Sequence, residues 1–74
     1  MTTLLSPKIV TVDALIDRCD GCGAAARLEL TLTSGGSLAF CGHHANRYAG
    51  ELVLLASNVG LENGFEWAGG VPTG

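Results

Sequence analysis

Four side chains in this sequence share one spacing: Cys19, two residues, Cys22, eighteen residues, Cys41, two residues, His44. With His43 they are all the cysteines and histidines of the chain. Paired sulfur and nitrogen donors two residues apart suit a tetrahedral metal site, because a short turn can aim both members of a pair at one point. One structural Zn2+ held by Cys19, Cys22, Cys41 and His44 is the favoured reading. Two others use the same residues: reduced thiols in a small core, and a redox CxxC with an incidental third cysteine. No thioredoxin-like βαβ pattern surrounds the CxxC, and an odd cysteine count does not suit a secreted disulfide framework. A reducing compartment fits better, so a cytoplasmic location is expected.

His44 repeats the two-residue gap of the first pair and is the expected fourth ligand. His43 is then a second group packing beside a thiolate, an alternative ligand, or an exposed histidine. A catalytic zinc keeps a position open for water, whereas four protein donors close the site, and three thiolates reduce its Lewis acidity. Asp20, the carboxylate inside the first pair, reads as a turn residue capping an amide. "GHHAN" faintly echoes the His-Asn nucleases, with His43 as general base. The following "RYAGELVLLA" offers no further His or Asn for a catalytic cation. An enzyme is therefore not expected.

The donors need elements to hold them. "CDGCG", residues 19–23, reads as a tight turn that Gly21 and Gly23 permit. Leu28, Leu30 and Leu32 alternate with Arg27, Glu29, Thr31 and Thr33, the period of a strand with one buried face. "SGG" at 34–36 turns the chain, and "SLAF" at 37–40 alternates again, so a β-hairpin delivers Cys41. Residues 43–58 read as one helix, with Ala45, Tyr48, Ala49, Leu52, Leu55 and Ala56 as its core stripe and Asn58 or Gly60 at its end. Gly50 weakens that helix. "TVDALID", 11–17, is either one helical turn capped by Thr11 or extended, with Leu15 and Ile16 buried in both cases.

The expected fold is a small α+β zinc-stapled domain of zinc knuckle, β-hairpin and one α-helix, treble-clef or zinc-ribbon-like, with extended terminal arms. Its boundaries are an N-terminal arm at 1–17, the zinc-binding ββα domain at 18–58 and a C-terminal arm at 59–74. Seventy-four residues sit near the lower limit of independent folding, where a staple is usual. The chain is 47% hydrophobic and only 15% charged, which is not a disordered composition. Val53 and Leu54 lie off the core stripe, and Phe65 and Trp67 give the last segment aromatic weight. These four are the expected partner-binding residues.

Net charge is −3, and the only cations, Lys8, Arg18, Arg27 and Arg47, are scattered along the chain. Nucleic-acid binding calls for a basic patch, so the composition argues against DNA or RNA. No signal peptide or membrane-span pattern is visible, and nothing points to a small-molecule substrate.

"DRCDGCGAAA" followed by "TSGGSLAFCGHHANRY" resembles a family of very small proteins of actinobacteria and their phages, of unknown function. Its pattern is "DRCDxCGAxA", a strand, "SGGxLxFCxHH" and a basic helix. The resemblance spans about residues 16–50 and implies the same four zinc ligands. It ends before "ELVLLA" and the aromatic segment, where the bacterial relatives continue into a charged helix and an acidic, low-complexity tail. The expected function is a non-enzymatic zinc-stabilised protein–protein interaction module in a larger assembly, such as an accessory capsid or decoration protein of an actinophage virion. The alternatives are a transcription-associated regulator that binds RNA polymerase, a sigma factor or DNA, and a metal-dependent nuclease.

Overall fold

Alternating leucines form the strand that period two requires. The computed structural model describes residues 7–72, in which β1 (Lys8–Val12), β2 (Leu28–Leu32), β3 (Ser37–Phe40), α1 (Gly42–Arg47), α2 (Ala49–Leu55) and β4 (Ala56–Glu62) follow one another. β2 and β3 make the expected hairpin, with Leu28 opposite Phe40 and Leu30 opposite Leu38. Gly35 and Gly36 turn it with φ of 95° and 81°, a region that residues with a Cβ resist.

The hairpin is half of a larger sheet, in the order β1-β4-β2-β3. β4 runs parallel to β1 and antiparallel to β2. β3 and β4 therefore point the same way, and the two helices carry the chain between them. Two rows of side chains cross the sheet: Ile9, Val59, Leu30 and Leu38, then Thr11, Leu61, Leu28 and Phe40. Ala45, Ala49, Leu52 and Trp67 join the buried residues of these rows in one core cluster. On the sheet's other face, Gly60 takes the place of a side chain, since a Cβ there would lie 3.3 Å from Glu29 Cγ. No helix among the described residues is long and apolar enough to cross a membrane.

The single helix expected at 43–58 is two helices and a strand. The break falls at Tyr48, with φ −104° and ψ 16°. The amides of Glu51 and Leu52 both donate to the Tyr48 carbonyl, which starts the second helix. Helix ends at Leu55, and residues 56–62 extend because they pair with strands on both sides. Leu52 is buried as expected, but Leu55 is 50% exposed rather than part of the core. The helical turn considered at 11–17 does not form. Leu15 is half-buried with its amide donating to Glu62 Oε2, and Ile16 is exposed rather than buried.

The segments expected as arms contribute to the same sheet. Residues 8–12 are one edge strand, and residues 59–62 complete one of the sheet's two inner strands, so the 18–58 stretch shares one core with its flanks. Residues 1–6 of the expected N-terminal arm, and residues 73–74, lie outside the described residues.

Trp67 is a core residue, not the exposed partner contact that the sequence suggests. It is 6% exposed, and its indole N–H donates to the Ala45 carbonyl at 2.8 Å. The Ala68 amide donates to Asn46 Oδ1 at 2.7 Å beside it. The indole lies so close to Gly69 that a Cβ there would come within 2.5 Å of ring carbon Cζ2. Phe65 is half-buried against the core, with its ring over Gly42. Of the four expected partner contacts, Leu54 is fully on the surface, at 81% exposure, and Val53 is half-buried.

Trp67→Ala should lower the unfolding free energy of the chain by about 3–5 kcal/mol, the usual cost of emptying an aromatic site. Gly69→Ala should also destabilise, by forcing the indole aside. Urea unfolding followed by circular dichroism measures both. An unchanged midpoint for Trp67→Ala would place the tryptophan outside the core.

Candidate metal centre

A backbone turn builds the first donor pair. The Cys19 amide donates to the Ala24 carbonyl at 2.7 Å, and the Gly23 amide returns to the Cys19 carbonyl at 2.8 Å. Gly23 sits at φ 78°, so the glycine after the second cysteine meets a conformational need. The Gly21 amide donates to Cys19 Sγ at 3.3 Å. Gly21 also lies against the donors, since a Cβ on it would stand 3.5 Å from His44 Nδ1.

The second pair comes from the junction of β3 and α1. Cys41 is the extended residue before the helix, with φ −70° and ψ 169°, and His44 occupies the first turn. The Ala45 amide donates to the Cys41 carbonyl at 2.8 Å, which sets the first turn of α1 directly on Cys41.

Asp20 joins the two halves. Its amide donates to the Ala39 carbonyl at 2.8 Å, and its carboxylate Oδ2 accepts the Ala39 amide at 2.7 Å. The knuckle is thereby pinned to the edge of β3 two residues before Cys41. The sequence reading of Asp20 as an amide cap has the right chemistry, and only the fold identifies the amide as that of Ala39.

The four expected donors converge. Cys19 Sγ and Cys41 Sγ each lie 3.4 Å from His44 Nδ1, Cys22 Sγ lies 3.8 Å from Cys41 Sγ, and all four donor atoms fall within 4.8 Å of one another. A tetrahedron with bonds of about 2.3 Å to sulfur and about 2.0 Å to nitrogen has edges of about 3.8 Å between sulfurs and about 3.5 Å between sulfur and nitrogen. The three spacings given match these edges and the remaining pairs lie within 4.8 Å, so the group could hold one metal ion. His43 is exposed and outside the group, its ring edge-on to that of His44 at 5.2 Å. Tyr48 stacks on the His44 ring at 5.9 Å and 5°, a support that its place on a predicted core stripe did not suggest.

The environment treats the thiols differently. Burial opposes a Cys19 thiolate, but the amides of Cys41, Gly21 and Cys22 outweigh it and hold the thiol down at about 6. At Cys22 the Ala24 amide favours the thiolate, yet lost solvation and the sulfurs of Cys19 and Cys41 push its pKa up. Cys19 and Cys41 are buried and Cys22 is exposed. Two of the arginines have partners elsewhere: Arg27 forms an ion pair with Glu62 at 2.5 Å, and Arg47 lies over the Tyr48 ring.

Comparison with protein-family models matches residues 13–66 to the domain of unknown function DUF7455, and the chain belongs to that family. No curated protein and no solved structure matches. The matched span holds both donor pairs, the hairpin, both helices and β4. It begins after β1 and stops one residue short of Trp67.

Cobalt titration read by thiolate charge-transfer absorbance should separate the histidines. His44→Ala should weaken binding by more than about 100-fold, beyond the usual cost of losing an outer-shell group, while His43→Ala leaves it unchanged. The opposite order would make His43 the ligand.

Acid should also weaken binding. A metal must displace the proton of Cys22, so affinity should fall at least about tenfold per pH unit between pH 7 and 6. The Cys19 thiol is held down at about 6, so the metal displaces no proton from it above that value and one below it. The slope should therefore steepen below about pH 6. A pH-independent affinity would show that no thiol is a ligand.

Proposed function

We propose that this DUF7455 member is a non-enzymatic interaction module whose knuckle, hairpin and first helix are stapled in treble-clef-like fashion by one structural Zn2+ on Cys19, Cys22, Cys41 and His44. The observation that carries this reading is the closure of the donor set. Four protein donors within 4.8 Å of one another are enough to fill a tetrahedral zinc site, which would leave no position for a reactive water or a substrate.

The chain's own packing explains why a staple is needed. Between residues 13 and 25 the only buried side chain is Cys19, and the hydrophobic cluster contains no residue of that stretch. Backbone contacts at Asp20 and the Arg18–Ala25 bridge fasten the knuckle, but they bury little apolar area. A zinc ion supplies what the core does not.

The interaction surface in this reading is the outer side of α2. Leu54 and Leu55 are exposed there, next to half-buried Val53. Apolar side chains grouped on a small acidic protein suit a protein partner. Nucleic acid is the poorer fit, with Arg27 paired to Glu62 and a net charge of −3.

Excess chelator should unfold the knuckle and with it most of the domain, since zinc binding in such modules supplies about 10–16 kcal/mol of apparent folding free energy. Circular dichroism with and without zinc measures this, and a chain that stays folded without metal would sink the staple. Leu54→Glu should keep Tm within about 3 °C of the parent, as for other exposed sites. Native mass spectrometry of protein from its native cells should then show the parent in a complex and the Leu54→Glu chain free of it. The same complex for both would move the interface elsewhere.

A further inference from the structure

The three thiols of the centre are not equally sheltered. Cys19 and Cys41 are 4% and 9% exposed, whereas Cys22 is open to solvent on the outer side of the knuckle. Cys19 Sγ is also engaged by the Gly21 amide. Cys22 Sγ faces Cys41 Sγ at 3.8 Å, a separation that a small movement converts to the roughly 2.05 Å of a disulfide. Cys22 sits on a turn rich in glycine, which lets it make that movement, while Cys41 is fixed between β3 and α1.

We propose that the centre is a peroxide-responsive switch, in which oxidation joins Cys22 to Cys41 and expels the metal. This rests on the zinc reading above. Cys22 sulfur attacks one peroxide oxygen, the O–O bond breaks, and a sulfenic acid forms as hydroxide leaves. The Cys41 thiolate then attacks the Cys22 sulfur and displaces a second hydroxide. The two thiolates lose two electrons, hydrogen peroxide gains them, and two protons from solvent turn both hydroxides into water. Zinc keeps only Cys19 and His44 and dissociates, because two donors do not make a stable site.

The consequences stay local to the knuckle. The new bond ties Cys22 to the residue before α1, and the hydrophobic cluster holds no cysteine. That bond replaces the metal as the tie between the knuckle and the β3–α1 junction, so sheet and helices remain assembled where chelation alone unfolds them, while Cys19 and His44 lose their metal. Reductant and zinc restore the original state, because a disulfide is the reversible rung of cysteine oxidation.

The test uses the full zinc-loaded chain. Zinc content is measured first, hydrogen peroxide is added, and released zinc is followed with a chromogenic chelator. Remaining thiols are then alkylated and the chain is digested with trypsin. Cleavage after Arg18, Arg27 and Arg47 puts Cys22 in peptide 19–27 and Cys41 in peptide 28–47. The expected result is one zinc released per disulfide, the two peptides linked, fragment ions placing the link at Cys22 and Cys41, and full reversal by dithiothreitol with zinc. Zinc retained under peroxide, a disulfide within peptide 19–27, or a link through Cys19 overturns the switch and leaves the staple standing. A chain without zinc before peroxide overturns the staple and the switch together.

Discussion

The convergence of four donors at one point is the constraint on which the rest of this structure depends. Cys19 and Cys22 lie on a turn that buries almost nothing, and Cys41 and His44 lie where β3 passes into α1. A turn of that kind has no hydrophobic reason to stay in place. Its position is set by the double hydrogen bond of Asp20 to Ala39, which brings its two sulfurs to the other two donors of a group that could hold one metal ion. Because Ala39 belongs to the strand that ends at Cys41, the same strand positions both halves of the centre. Any displacement of β3 moves the knuckle and the histidine together, which preserves the spacing of the donors.

The sheet makes that strand rigid. β4 lies between β1 and β2, and its Val59 and Leu61 are fully covered, as are Leu28 and Leu30 of β2 beside it, so the two inner strands anchor the core. Trp67 closes the other side by reaching back to the carbonyl of Ala45, one residue after His44. The segment after β4 thus braces the short helix that presents the histidine. Two independent restraints, one at each end of the 41–45 stretch, hold a helix only six residues long that could not persist by itself.

The chemistry of the centre was legible in the sequence because it is local. Donor type, two-residue gaps and the glycine after Cys22 are properties of a few neighbouring residues, as is the alternation of Leu28, Leu30 and Leu32. The choice of His44 over His43 followed from the same gap, and the structure brings His44, not His43, to the three sulfurs. The errors fell where local preference and long-range pairing disagree. "ASNVGLE" has weak strand character, with a glycine, a serine and an asparagine, and it continues an apolar helix. It becomes a strand because β1 and β2 offer it hydrogen bonds on both edges. A single sequence carries little trace of that offer, since Lys8 and Asn58 pair across fifty positions of chain.

What the sequence by itself determined is therefore the donor set, the hairpin and the turn residues that aim the donors. Each is a matter of residue chemistry and short spacing, which distant contacts do not change. The tertiary structure alone decided that the expected arms are strands of one sheet, that the helix breaks at Tyr48, and that Trp67 is buried while Leu54 is not. Those outcomes turn on which apolar surfaces meet. Two equally hydrophobic residues are indistinguishable until a partner element covers one and leaves the other in water.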